Sequence, residues 1–218
     1  MNNPAICLSI IENNPVAVHK VEKEVDFFEL RLDILGDAWG KVAKDLNKPW
    51  IACNRSREEG GKGDLNTGKR IEALLEAGRV GASIIDLEYN TAGLAEKVQQ
   101  IKQCSQCLIS FHDMETTPSL DTLSKIVEGQ IKAGADICKV VTTATKFEDN
   151  VTIMRLFTHF PGIKITAFAM GELGRLSRIL SPLCGGYFTY ACLEEGREAA
   201  AGQISVTEMR QIYGCFKQ

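Results

Sequence analysis

The chain predicts a closed parallel (β/α)8 barrel of the TIM type, an α/β fold, and three observations carry that expectation. Eight short apolar runs are spaced through 218 residues. Segments of helical periodicity lie between them, the alternation that winds a parallel sheet. Charged and polar residues gather at the C-terminal ends of the runs, where such barrels build their sites. The length suits one sizeable core, so residues 1–218 are expected to form a single domain. An open doubly wound sheet is the rival. It would want a glycine-rich turn after the first strand, and Ile10-Ile11-Glu12-Asn13-Asn14 has no glycine.

The elements follow in order. Ala5 to Ile10 is the first strand, and Asn14 before Pro15 opens the first helix. The second strand, Phe27 to Ile34, ends in Glu29-Leu30-Arg31-Leu32-Asp33. Alternation puts Glu29, Arg31 and Asp33 on one face, toward the lumen. Trp50 to Asn54 is the third, followed by Arg55 and by Glu58-Glu59-Gly60-Gly61. Ile71, Leu74 and Leu75 then share a helical face. Ser83 to Tyr89 is the fourth strand, ending in Asp86-Leu87-Glu88, before a helix with Leu94, Val98 and Ile101 inward. Leu108 to His112 is the fifth. Pro118-Ser119 opens the next helix, whose face is Leu120, Leu123, Val127 and Ile131. The sixth strand, Ala135 to Thr142, carries Lys139 and precedes a face of Phe147, Val151 and Met154. Lys164 to Met170 is the seventh, ending in Met170-Gly171-Glu172, with Leu173, Leu176 and Leu180 after it. Tyr187 to Leu193 is the eighth. A loop over 194–202 and a last helix with Val206, Met209, Ile212 and Tyr213 inward complete the chain.

Composition excludes several classes. A net charge of -3 does not suit a nucleic-acid binder. No apolar stretch reaches membrane-spanning length. Met1-Asn2-Asn3-Pro4 lacks the basic and apolar regions of a signal peptide. Most of the eight cysteines lie in apolar runs, where a thiol behaves as a small hydrophobe. Cys104 and Cys107 form a lone C-x-x-C with no second pair at zinc-ligand spacing, so free thiols in a reducing cytoplasm are expected.

Lys139 is the most informative residue. It sits in the apolar run Ile137-Cys138-Lys139-Val140-Val141. Burial disfavours the charged form of lysine, and a neutral lysine is a nucleophilic amine that forms imines with ketones. The bland reading is an ammonium reaching water at the strand end. His112 ends the neighbouring strand, which places an imidazole near that amine for proton transfer. His19 and His159 fall in a helical and a loop segment, as surface or packing residues. Three charges on one lumen face require pairing with each other or with a ligand. Glu29, Arg31 and Asp33 are therefore a structural ion-pair network or a pocket for an anionic, hydroxylated small molecule. Arg31 and Arg55 are expected to raise the local positive potential and so keep Lys139 neutral.

Eight segments in order resemble the type I 3-dehydroquinate dehydratase family, over nearly the whole chain. They are ELRLD at 29–33, NRSREEGG at 54–61, DLEY at 86–89, SFHD at 110–113, TTP at 116–118, GADICK at 134–139, MGELGRLSR at 170–178 and GQISV at 202–206. The resemblance implies a TIM-like barrel, usually a homodimer, with no metal and no cofactor. It implies dehydration of 3-dehydroquinate to 3-dehydroshikimate through a lysine Schiff base, in the shikimate pathway of aromatic amino acid biosynthesis. By position, Lys139 forms the imine, His112 is the general acid and base, and Glu59 orients that histidine. Substrate contacts fall on Glu29, Arg31, Arg55, Met170, Arg178 and Gln203, with Tyr190 as an aromatic pocket residue. Arg178 is the expected partner of the substrate carboxylate. Where the family often has Ser-Ala-Pro, this chain has Ala199-Ala200-Ala201, so one hydroxyl and a rigid proline are missing. A class I aldolase also uses a barrel lysine imine, but would want a glycine-rich phosphate site after the last strands. Gly185-Gly186 precedes strand eight instead. A non-catalytic carboxylate-binding barrel would make Lys139 a plain cation.

Overall fold

A computed structural model describes residues 4–64 and 66–216. Met1 to Asn3, on which the expectation about a signal peptide falls, lie outside the described residues. Eight parallel strands form one nearly closed barrel. They are β1 (Ile6–Ile10), β2 (Phe27–Arg31), β3 (Trp50–Cys53), β4 (Ile84–Glu88), β5 (Gln106–His112), β6 (Ile137–Thr143), β7 (Ile165–Met170) and β8 (Thr189–Ala191). From β1 to β7 each strand pairs with the next in sequence, and β8 pairs with β1. At the β7–β8 seam the Tyr187 N–H donates to the Ile165 carbonyl at 2.7 Å, and the Thr166 hydroxyl donates to the Phe188 carbonyl at 3.3 Å. The open-sheet rival is excluded.

The helices are α1 (Pro15–Val21), α2 (Leu32–Leu35), α3 (Trp39–Lys44), α4 (Thr67–Arg79), α5 (Leu94–Ile101), α6 (Leu120–Ala133), α7 (Asp149–His159), α8 (Arg175–Leu180) and α9 (Val206–Gly214). Asn14 caps α1 through the Ala17 N–H, and Ser119 caps α6 through the Thr122 N–H, as their sequence signals require. Ser205 and Glu208 close a capping box on α9. Strand alternation divides the core. Ile6, Leu8, Phe28, Leu30, Ile85, Leu87 and Ile109 face outward, with the helical residues Ile71, Leu74, Val98 and Ile101 in the same cluster. Cys7, Ile51, Ile84, Leu108, Ile137, Phe188 and Tyr190 fill the lumen. Two residues further along these strands the lumen turns polar, at Ser9, Cys53, Asp86, Ser110 and Lys139.

Three expectations are corrected. The second strand stops at Arg31, because Leu32–Leu35 turns helical and Gly36 ends that turn at φ +53°. Asp33 therefore leaves the lumen face and folds back onto Arg31 (2.7 Å) and the Lys62 N–H (3.0 Å). The β2–β3 connection holds α3, which no long apolar period announces. The inward faces of α7 and α8 differ from the apolar stripes. Phe147 and Val151 are 58% and 55% exposed and Leu173 is 47% exposed, while Asn150, Ser177 and Arg178 are buried. The Asn150 amide donates to the carbonyls of Phe147 and Leu173 and accepts from the Ser177 N–H. Satisfied polar groups can be buried at little cost, so hydrogen bonding overrides the apolar pattern here.

Candidate active site

The C-terminal ends of the strands surround a cavity of ≈ 360 Å³. Strand β6 aims Lys139 into it, and the residue is 4% exposed. Its ammonium lies 2.9 Å from Asp86 Oδ2, 3.5 Å from Glu29 Oε1 and 4.3 Å above the centre of the Tyr190 ring. From α6, the Gln130 side chain donates to the Lys139 carbonyl at 2.9 Å. Burial pushes the Lys139 pKa down, but Asp86 and Glu29 outweigh it and raise the value above the ordinary one. The expectation of a neutral lysine is thus corrected: the resting nitrogen is an ammonium. Arg55 opposes that charge, as expected, but the two carboxylates outweigh it.

His112 ends β5, and its Nδ1 lies 2.7 Å from Glu59 Oε2. Burial, then the positive charges of Arg55 and Lys139, hold its pKa well below the usual imidazole value. The imidazole is therefore neutral near pH 7 and has a free nitrogen to accept a proton. Burial raises the Glu59 carboxyl to about 7, with Arg55 opposing and Glu88 and Asp86 assisting. At 2.7 Å the two groups titrate as a coupled pair.

Arg55 ties the two halves of the site together. It lies 2.7 Å from Asp86 and 2.8 Å from Glu59, and donates to the Ser110 hydroxyl at 2.7 Å. Ser110 donates in turn to Asp86 at 2.6 Å. This network holds the Asp86 carboxyl well below the usual range despite its burial. The loop after β3 wraps tightly on Arg55, and a Cβ at Gly61 would sit 2.2 Å from the Arg55 carbonyl oxygen.

The remaining candidates sit opposite. Arg178 is fully buried and stacks 4.2 Å from the Phe168 ring. Its Nη2 donates to the Ala201 carbonyl, while Nε and Nη1 are buried with no partner among the described residues. Burial without a carboxylate lowers its pKa to about 9. An unpaired buried guanidinium calls for an anion. The loop over 194–202 covers this side and contributes Ala199, Ala200 and Ala201 to the cavity. Gln203 accepts from the Ala199 N–H at 2.7 Å and donates to Ser9, which donates to Glu29. Gly202 approaches Gly171 so closely, at φ +77°, that a Cβ would lie 2.6 Å from its carbonyl oxygen. Arg31, Met170 and Tyr190 also line the cavity.

The structure thus brings all ten candidate residues around one cavity; Asp33, in the ion-pair reading, stays outside it. Sequence reasoning left Ser9, Asp86 and Ser110 without a role. Each was accessible through strand parity, since Asp86 alternates with Glu88, Ser110 with His112, and Ser9 pairs in register with Glu29. Glu29, Cys53 and Asp86 also bring donor atoms within 4.8 Å of one another, as a metal site would. Lys139 and Arg55 already supply the countercharge there.

A model of the family described as Type I 3-dehydroquinase matches residues 6–218. The chain belongs to the type I 3-dehydroquinase family. A 3-dehydroquinate dehydratase from Dehalococcoides mccartyi is 41% identical over 213 residues, which covers 98% of this chain and 96% of that one. One from Methanococcus maripaludis is 34% identical over 215 residues, covering 95% and 97%. The fold agrees with that of a type I 3-dehydroquinate dehydratase from Clostridium difficile (TM-score 0.86, 22% identity, 99% and 93% coverage). It also agrees with the 3-dehydroquinate dehydratase of Aquifex aeolicus (TM-score 0.82, 23% identity, 98% and 99% coverage). No helix among the described residues of this type I 3-dehydroquinase is long and apolar enough to cross a membrane.

Proposed function

We propose that this chain dehydrates 3-dehydroquinate to 3-dehydroshikimate, in the shikimate pathway, through an imine on Lys139. The observation that carries the reading is a buried lysine nitrogen flanked by two carboxylates in a cavity that also holds a neutral histidine and an arginine with no carboxylate partner among the described residues. Lys139 loses its proton and adds to the substrate ketone, and water leaves to give an iminium. An iminium carries the same charge at the same nitrogen as the resting ammonium. Asp86 and Glu29 therefore stabilise both, and keep the intermediate in the protonated form that accepts electrons.

The hydroxyl to be lost is β to the ketone, so the α-hydrogen leaves first. His112 removes that proton and the C–H electrons form an enamine. The enamine then expels the hydroxyl, which His112 protonates, giving water and a conjugated iminium. One base on one face makes the elimination syn. A further water releases the enone and returns the lysine. Glu59 holds the imidazole and shares its charge. Arg178 is the partner for the substrate carboxylate, bound by two parallel hydrogen bonds. Glu29, Arg31, Arg55, Met170, Tyr190 and Gln203 line the remaining surface, against the hydroxylated ring.

The reading includes a homodimer and a cytoplasmic setting. All eight cysteines are free thiols, which suits a reducing compartment. Phe147, Val151 and Leu173 are exposed apolar residues, and the Asn150 amide ties the Phe147 and Leu173 backbones together. A second copy presenting the same residues would cover them. The test of the activity is direct: enone absorbance should grow when the chain meets 3-dehydroquinate without added metal or cofactor. No absorbance change would refute the reading. An aldolase would instead cleave a carbon–carbon bond, and a binding protein would leave the substrate intact.

A further inference from the structure

We propose that Arg70 and Glu88 are positioning residues that clamp the β3–α4 loop at both ends and so hold Glu59 against His112. The proposal rests on the reading of His112 as the proton carrier. Neither residue lines the cavity. Arg70 projects from α4 and is 7% exposed. Its Nη2 lies 2.9 Å from Glu88 Oε2, and its Nη1 donates to the Asp64 carbonyl at 3.0 Å, at the far end of the loop. The other Glu88 oxygen accepts from the Ser56 N–H at 2.7 Å, at the near end. The loop between these points closes on itself. The Gly61 N–H donates to the Ser56 carbonyl and the Gly63 N–H to the Arg55 carbonyl. Gly63 lies against the Arg70 stem, where a Cβ would come within 2.6 Å of it. Arg55 and Glu59 are the loop's two contributions to the network.

The same pair also controls a competition. Arg55 Nη1 lies 2.8 Å from Glu59 and 3.5 Å from Glu88 Oε1. With Arg70 holding Glu88, Arg55 stays on Glu59. Without Arg70, the freed Glu88 draws Arg55 away, and Glu59 loses its second anchor. Charge gives this arrangement a signature. The Glu59–His112 pair is faced by Arg55 on its own loop, Asp86 and Glu88 from β4, Lys139 from β6 and Arg31 from β2, with Arg70 behind Glu88. Removing the Glu88 charge makes the pair harder to protonate. Removing the Arg70 charge makes it easier. A plain packing role would move neither.

The experiment uses the full chain with Arg70→Met, Arg70→Lys and Glu88→Gln. Rates with 3-dehydroquinate are followed from about pH 5.5 to 9, alongside borohydride trapping, thermal melting and NMR titration of His112. A loop displaced by about 1 Å costs up to about 100-fold, so Arg70→Met should lower kcat by about 10- to 100-fold. Trapping at Lys139 should persist in that variant. The acid limb and the His112 titration should move to higher pH in Arg70→Met and to lower pH in Glu88→Gln, and Arg70→Lys should recover most of the rate. Unmoved titrations in both variants would overturn the clamp. So would loss of trapping in step with kcat. If the arginine variants melt below the assay temperature, Glu88→Gln decides by its titration alone, because its amide oxygen still accepts from Ser56. A wild-type chain that neither turns over nor traps would refute the imine reading, and the substrate-free NMR shifts would still judge the clamp.

Discussion

At Lys139 the charge on one nitrogen decides what the site does. Asp86 and Glu29 keep it positive at rest, and in the proposed mechanism the same carboxylates hold the later iminium. Asp86 also pairs Arg55 and is wholly buried. Breaking a buried pair on one side costs about 3–5 kcal/mol, so Asp86→Asn should lose that much stability to urea at pH 7. The sign with pH follows from its depressed pKa. The stabilisation is fully present above the unfolded carboxyl value near ~4 and fades as pH falls toward the folded one. The gap between wild type and variant should therefore shrink only in acid, and a gap below about 1 kcal/mol at pH 7 would contradict the ion-pair account. His112 is separable from Lys139. Because general acid–base help is worth about 10²–10⁴-fold per role, His112→Ala should lose at least 10²-fold in kcat and still bind substrate. A variant within a few-fold of wild type would remove His112 from the mechanism. Lys139 and His112 are legible in the sequence because a charge inside an apolar run is conspicuous. Asp86 is less so: an acid near the end of a strand reads equally as a solvated one until its neighbours in the barrel are known.

Elements explain where legibility stops. The strands show themselves as apolar runs because lumen and outer faces are both buried. Short α3 has too few turns to establish a period. On α7 and α8 the apolar stripes mislead, since Asn150, Ser177 and Arg178 turn inward, each with at least one hydrogen bond. The loop over 194–202 is the element on which this chain departs from the Ser-Ala-Pro pattern. Ala199, Ala200 and Ala201 reach the cavity, the Ala201 carbonyl occupies Arg178, and Arg197 pairs with Glu12 to anchor the loop across β1. Proline at Ala201 would restrict the open loop by about 0.4–1 kcal/mol. The Ala201 N–H is not among the loop's backbone donors, so proline removes no bond seen there. Combining Ala199→Ser with Ala201→Pro should lower KM by about 2- to 5-fold and slow proteolysis of the loop with ligand bound. If neither changes, the loop does not govern binding and the alanines are neutral.

The whole molecule turns a barrel into an oriented charge array. Strands β1 and β3 to β6 place polar residues two positions beyond an apolar lumen layer, so the site sits on a packed floor. The alternation of elements made the barrel readable. The face left bare by α7 was not, because an exposed Phe147 or Val151 is indistinguishable in sequence from a core residue at the same spacing. That face is the surface expected to meet a second copy. Val151→Asp with Leu173→Asp should convert a dimer to a monomer by light scattering while the fold, by circular dichroism, is retained. An unchanged mass would place the interface elsewhere, and a monomeric wild type would remove the dimer altogether.

The imine on Lys139 is tested most directly by intact-protein and peptide mass spectrometry after borohydride reduction with 3-dehydroquinate. The chain should gain one reduced ligand mass, confined to the peptide containing Lys139, and lose activity in step. Lys139→Ala should show neither the mass nor turnover. A label on another lysine, or turnover in the alanine variant, would contradict the assignment.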